Sequence, residues 1–135
     1  MISSILDCGF NPGNRFGNEF RILAVVLLLA CSLSAQTPKL KTFIALNSVY
    51  AVSAALDGHS TMRAINSGCC REMNPLFGSY PSNARLWGQG AAITAGFVGI
   101  DYLLFKKKSR LWWVLPVAGI ALHSTLAYHN YQLPR

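Results

Sequence analysis

LWGQGAAITAGFVGIDYLLF, residues Leu86–Phe105, and LWWVLPVAGIALHSTLAYHNY, residues Leu111–Tyr131, are two apolar runs divided only by Lys106-Lys107-Lys108-Ser109-Arg110. Each run holds about 20 residues, the length an α-helix needs to cross the ~30 Å hydrocarbon core of a bilayer. The second carries Trp112-Trp113 at one end and Tyr128 and Tyr131 at the other. Aromatic rings of this kind gather at the two faces of a membrane. The pattern predicts a helical hairpin with lipid as its main solvent.

Composition agrees. Of 135 residues, 52% are hydrophobic and 13% charged, where a soluble domain carries roughly 25% charged residues. Twelve Lys and Arg stand against five acids, for a net charge of +7. The basic residues flank apolar runs and do not interleave with exposed aromatics, so they read as membrane-flanking anchors; no nucleic-acid surface is expected. Four cysteines, Cys8, Cys31, Cys69 and Cys70, show no CxxC and no zinc-finger spacing. A ring between the vicinal Cys69 and Cys70 would be strained, which favours two thiols or bonds to other partners.

Upstream of the hairpin, Thr42–Ile65 contains no proline and one glycine, Gly58. It reads as a single helix of about six turns, more polar than the other two because of Asn47, Ser48, Ser53, Asp57 and His59. It can span only with that polar face turned toward its neighbours. Residues 66–84 hold a dense set of turn formers, among them Gly68, Pro75, Gly78 and Pro81, and form the connecting loop. At the N-terminus, Met1–Asn18 has no helical apolar stripe and reads as a disordered or mistranslated leader. Glu19-Phe20-Arg21 then opens an apolar run, Ile22–Leu33, ending in small residues before Gln36. That is the layout of a secretory signal peptide, with a lipoprotein alternative at Cys31.

The expected architecture is all-α: an integral membrane bundle of three transmembrane helices, about 42–65, 86–105 and 111–131, preceded by a signal-like segment. Residues 1–36 form the leader and signal part, and 37–135 the membrane domain. The expected location is the inner membrane of a cell, in a multi-pass arrangement. Orientation signals conflict. The Lys106–Arg110 turn belongs in the cytoplasm by the positive-inside rule, which would run Thr42–Ile65 from inside to outside. Cleavage after Ala35 would instead leave Gln36 outside.

Helix packing is expected through Gly88, Ala92 and Gly96, four residues apart on the middle helix, because small residues let backbones approach closely in lipid. Pro116 and Gly119 are expected to kink the last helix. Folding the helices about Lys108 and Leu76 puts Asp57, Thr94 and His123 in one layer. An Asp57–His123 hydrogen bond there would satisfy two polar groups that are costly at membrane depth. Such a contact serves first as packing glue, at ~0.6 kcal/mol; ligating a metal or relaying a proton is the sharper alternative. Asp101 reads as a near-interface residue beside the lysine run, and His59 and His129 as solvated. No nucleophile elbow, Walker loop, HExxH or dinucleotide fingerprint occurs, so no catalytic residue, metal site or cofactor is assigned.

Asp57-Gly58-His59-Ser60-Thr61, then Gly68, then Glu72-Met73-Asn74-Pro75-Leu76, resembles a signature of small uncharacterised bacterial membrane proteins: Asp-x-x-Ser/Thr-Thr on a first helix, a glycine, and Glu-x-Asn-Pro opening a loop before two more helices. The chain departs from it by inserting Cys69-Cys70-Arg71. That family has no established activity. The resemblance implies a three-helix fold and a common role for Asp57, Thr61, Glu72 and Asn74. The residues themselves allow a structural account, with Glu72 and Asn74 bonding the loop entry and Pro75 holding Asn74 extended. Two functional classes follow. One is a structural or interaction protein of the membrane, a non-enzyme that meets lipid, further copies of itself or other membrane proteins. The other is a subunit of a transporter or membrane enzyme with an intramembrane Asp/Glu/His proton or metal site.

Overall fold

The computed structural model describes residues 6–7, 40–68 and 70–133. The signal-like segment and the remainder of the leader lie outside the described residues. Three helices carry the fold: α1 (Leu40–Asn66), α2 (Asn83–Lys106) and α3 (Val114–Gln132). Within the leader, Leu6–Asp7 (β1) pairs antiparallel with Arg71–Glu72 (β2), Leu6 opposite Glu72 and Asp7 opposite Arg71. The reading of Met1–Asn18 as unstructured therefore fails at these two residues.

The order of packing differs from the expected one. The tight pair is α1 with α3, first and last in sequence, and α2 stands beside them. On α1 the buried positions are Phe43, Asn47, Tyr50, Ser53, Asp57, Ser60, Thr61, Met62, Ala64 and Ile65. From Phe43 to Ser60 the steps are three and four residues, which places them on one face, and burial widens around the helix from Ser60 to Ile65. Gly119 of α3 makes room for the Tyr50 ring of α1: a Cβ there would lie 2.6 Å from Tyr50 Cδ2. Only a hydrogen fits at that distance, so this glycine is a contact point and no kink residue. Pro116 is no kink either. The helix begins at Val114 rather than Leu111, after Lys108 takes a positive φ of 53° and the Ser109 hydroxyl accepts from the Leu111 N–H at 3.2 Å. Pro116 thus falls in the first turn, where its missing N–H is not needed.

Helix α2 is held near its two ends. Ser82 caps its start, accepting from the Arg85 N–H at 3.2 Å. Leu86 is buried against Met62 and Phe77. Near the far end Asp101 is 1% exposed and takes a 2.7 Å hydrogen bond from Asn47 Nδ2. Phe43, Phe105 and Trp112 close the bundle beyond it, with Phe43–Phe105 centroids 4.7 Å apart and Phe105–Trp112 edge to face at 5.7 Å. Trp112 is therefore a core residue rather than part of an outer aromatic belt. Between these two attachments α2 buries no other residue. Gly88, Ala92 and Gly96 face outward, and a Cβ at Gly88 or Gly96 would meet nothing within 4 Å. Within one chain these small residues do not bring helices together; Gly119 does.

Among the described residues, no helix is long and apolar enough to cross a membrane. The expected three transmembrane helices are thus present as helices, and short in apolarity. Asn47, Asp57, His59 and Arg63 dilute α1, Gln89 and Asp101 dilute α2, and His123, His129 and Asn130 dilute α3.

Candidate functional site

The polar residues of α1 and α3 meet at one level. His123 Nδ1 and Asp57 Oδ2 are 2.8 Å apart, with side chains 17% and 4% exposed. Asn130 lies two turns beyond His123 on the same face of α3. Its Nδ2 lies 3.1 Å from Thr61 Oγ1, 3.2 Å from Ser60 Oγ and 3.5 Å from Asp57 Oδ1. An amide nitrogen has two protons for these three oxygens. The two hydroxyls are closer and take them, leaving Asp57 Oδ1 at the limit of bonding distance. Ser60 and Thr61 are fully buried, and the Ser60 hydroxyl donates back to the Asp57 carbonyl at 2.8 Å. That local bond satisfies a hydroxyl inside a helix. Among the described residues, Asn130 Oδ1 has no hydrogen-bond partner.

The expected layer of Asp57, Thr94 and His123 forms. All three line one cavity of about 420 Å³ between α1 and the middle of α2. Its remaining wall is small or apolar, including Ala51, Ala54, Gly58, Trp87, Gly90 and Val98. The cavity exists because α2 buries residues only at Leu86 and Asp101; between them its contacts are lighter, Ile93 on the Met62–Phe77–Leu86 cluster and Thr94 hydrogen-bonded to Tyr50. The Tyr50 ring packs on the His123 ring, centroids 5.8 Å apart, and steadies the imidazole from the α1 side.

Glu72 and Asn74 are built into the loop. The Asn74 N–H donates to Glu72 Oε1 at 2.8 Å, the Leu76 N–H to Asn74 Oδ1 at 3.1 Å, and the Glu72 N–H to the Ser79 carbonyl at 2.9 Å. Both side chains are buried. They do the capping work that their residue types allow. Thr61 joins the Asp57 group through Asn130, so the resemblance signature divides between a helix-packing cluster and a loop turn.

Other sites also depart from expectation. Asp101 is not an interface residue; it is buried and clasped by Asn47, with Oδ1 unpartnered among the described residues. A depth estimate along α2 alone could not reveal the partner on α1. His59 is exposed, as expected, and its Nδ1 lies 2.7 Å from the Tyr131 hydroxyl, whose ring also sits under Arg63 at 5.3 Å. Cys70 is disulfide-bonded and 3% exposed. Cys8, Cys31 and Cys69 lie outside the described residues. Asn130 and Gly119 were not singled out from sequence as site and contact residues, although Asn130's heptad spacing from His123 was a usable signal.

The chain matches no known family, no curated protein and no solved structure.

Proposed function

We propose that the chain is a small integral membrane protein with a structural or interaction role, its polar residues fixing one arrangement of three helices. The carrying observation is the inverted distribution of polarity. Asn47, Ser53, Asp57, Ser60, Thr61, Asp101 and Asn130 are buried. Ile44, Val49, Val52, Leu56, Ile100 and Leu103 are about half exposed, each between 49% and 59%. Water would favour the reverse, and exposed apolar surface on this scale marks contact with a partner or a membrane. Lipid favours this one, because polar groups there must find partners inside the bundle.

The shortfall in helix apolarity does not oppose this reading. Helices of 27, 24 and 19 residues at ~1.5 Å per residue reach ~40, ~36 and ~28 Å, against a hydrocarbon core of ~30 Å. The polar residues that lower the average turn inward. Membranes from cells expressing the chain should retain it through an alkaline carbonate wash and release it into mild detergent. Release by carbonate alone would refute the proposal.

A second reading draws on the Asp57–His123 contact: a subunit of a transporter or membrane enzyme that relays a proton through this pair. A metal would need more ligands, and among the described residues no three of His, Cys, Asp and Glu gather to hold one. Loss of function in His123→Gln without loss of folded protein would favour the second reading over the first.

A further inference from the structure

We propose that the cavity between α1 and α2 is a binding site for a small apolar alcohol, whose hydroxyl donates a hydrogen bond to His123. The volume of about 420 Å³ falls within the ~300–1,000 Å³ of small-molecule pockets. The lining is what such sites use, an apolar wall with a small number of polar groups. Here the wall is Ala51, Ala54, Trp87, Gly90 and Val98, and the polar groups are the Asp57–His123 pair and Thr94, whose hydroxyl is already hydrogen-bonded to Tyr50.

The pair specifies the ligand's head. With Asp57 ionised, its carboxylate offers only acceptors, and the proton between the two residues then sits on His123 Nδ1. In the neutral ring Nε2 then keeps its lone pair, and which nitrogen is protonated follows from the bond the other makes. Nε2 enters no hydrogen bond with the described residues. A hydroxyl donor matches it; an ether oxygen or a bare hydrocarbon does not. Asp57 is committed to His123 and lies beside Asn130, so it acts as a positioning residue that holds the tautomer. The site depends on the cavity and the pair, and it holds whether or not the chain proves to span a bilayer.

The test uses the full chain, purified in whichever medium keeps it folded, buffer or detergent micelle. Octanol and its isomer heptyl methyl ether are compared by saturation-transfer NMR in that same medium. The expected result is octanol binding at least tenfold tighter than the ether. His123→Phe should bring octanol down to the level of the ether. Gly90→Leu should abolish octanol binding without loss of fold, because a Cβ at Gly90 meets nothing within 4 Å and a longer side chain fills open space. The second variant keeps the test decisive if the first does not fold. Equal binding of the two isomers would mean that the groove takes any apolar chain, such as an acyl tail. Octanol binding unchanged in Gly90→Leu would place the alcohol elsewhere. Self-association of the native chain that Gly90→Leu abolishes would mean that a second copy occupies the groove. Each of these overturns the proposal.

Discussion

Two Gly→Ala substitutions, at positions 119 and 96, should move stability in opposite directions. Replacing a helix-interior glycine by alanine is worth ~1 kcal/mol of intrinsic helix propensity wherever the new methyl group fits. At Gly96 a Cβ meets nothing within 4 Å, so Gly96→Ala should stabilise by up to about that amount. At Gly119 a Cβ would lie 2.6 Å from Tyr50 Cδ2. The ring is itself buried, 5% exposed, and packed on His123, so it cannot swing aside freely. Overpacking of this kind costs about 1–3 kcal/mol. Propensity cancels in the comparison, and Gly119→Ala should be less stable than Gly96→Ala by about 1–3 kcal/mol. Denaturant titration of both variants, followed by circular dichroism in one medium, gives the difference. Trimming the ring with Tyr50→Ala should remove the penalty at Gly119, a non-additivity that identifies the contact. Equal shifts, or a larger loss at Gly96, would show that α1 and α3 do not meet here and that the outward stripe on α2 is the true packing face.

Further outcomes follow from the polar interior. Alanine at Asp57 and at His123 should each destabilise, and the double variant should cost less than their sum, by ~0.6–1.7 kcal/mol for a bond of this kind between helices; additive losses would mean the 2.8 Å contact is not made. Asn47→Ala removes the one hydrogen bond that the buried Asp101 carboxylate makes among the described residues and should cost about 1–3 kcal/mol, measured by the same titration, while Asn47→Gln is not a rescue because its longer side chain misplaces the amide. Ser82→Ala deletes the cap of α2 and should cost about 1 kcal/mol with no change in helix content beyond the first turn.

The helices were legible because their signal is local. Apolar runs and turn clusters placed all three within a few residues; the largest shifts are at the start of α2, from Leu86 to Asn83, which Ser82 caps, and at the start of α3, from Leu111 to Val114, where Pro116 and the Ser109 cap decide the first turn. The Asp57–His123 contact was legible for a different reason. Folding about Leu76 and Lys108 brings both to the level of residues 93–95 on the middle helix, and two polar groups in otherwise apolar surroundings have few partners other than each other. What could not be read was which helices touch most closely. Gly88, Ala92, Gly96 and Gly119 look alike in sequence; the difference lies in what faces them, Tyr50 for one and open space for two of the others. The Asn47–Asp101 clasp spans 54 residues, and only the docked helices reveal it. The β1–β2 pairing was invisible for the same reason, since two-residue strands carry no periodicity.

The central claim is that lipid covers the outside of this bundle while its polar residues face in. Labelling native membranes with an apolar diazirine that dissolves in the hydrocarbon core, then mapping adducts by mass spectrometry, tests it directly. Adducts should fall on Ile44, Val49, Val52, Leu56, Ile100 and Leu103, which are exposed. They should spare Asn47, Ser53, Asp57, Ser60 and Thr61, which are buried on the opposite face of α1. Adducts spread evenly around the helices, or none on α1 and α2, would contradict the account.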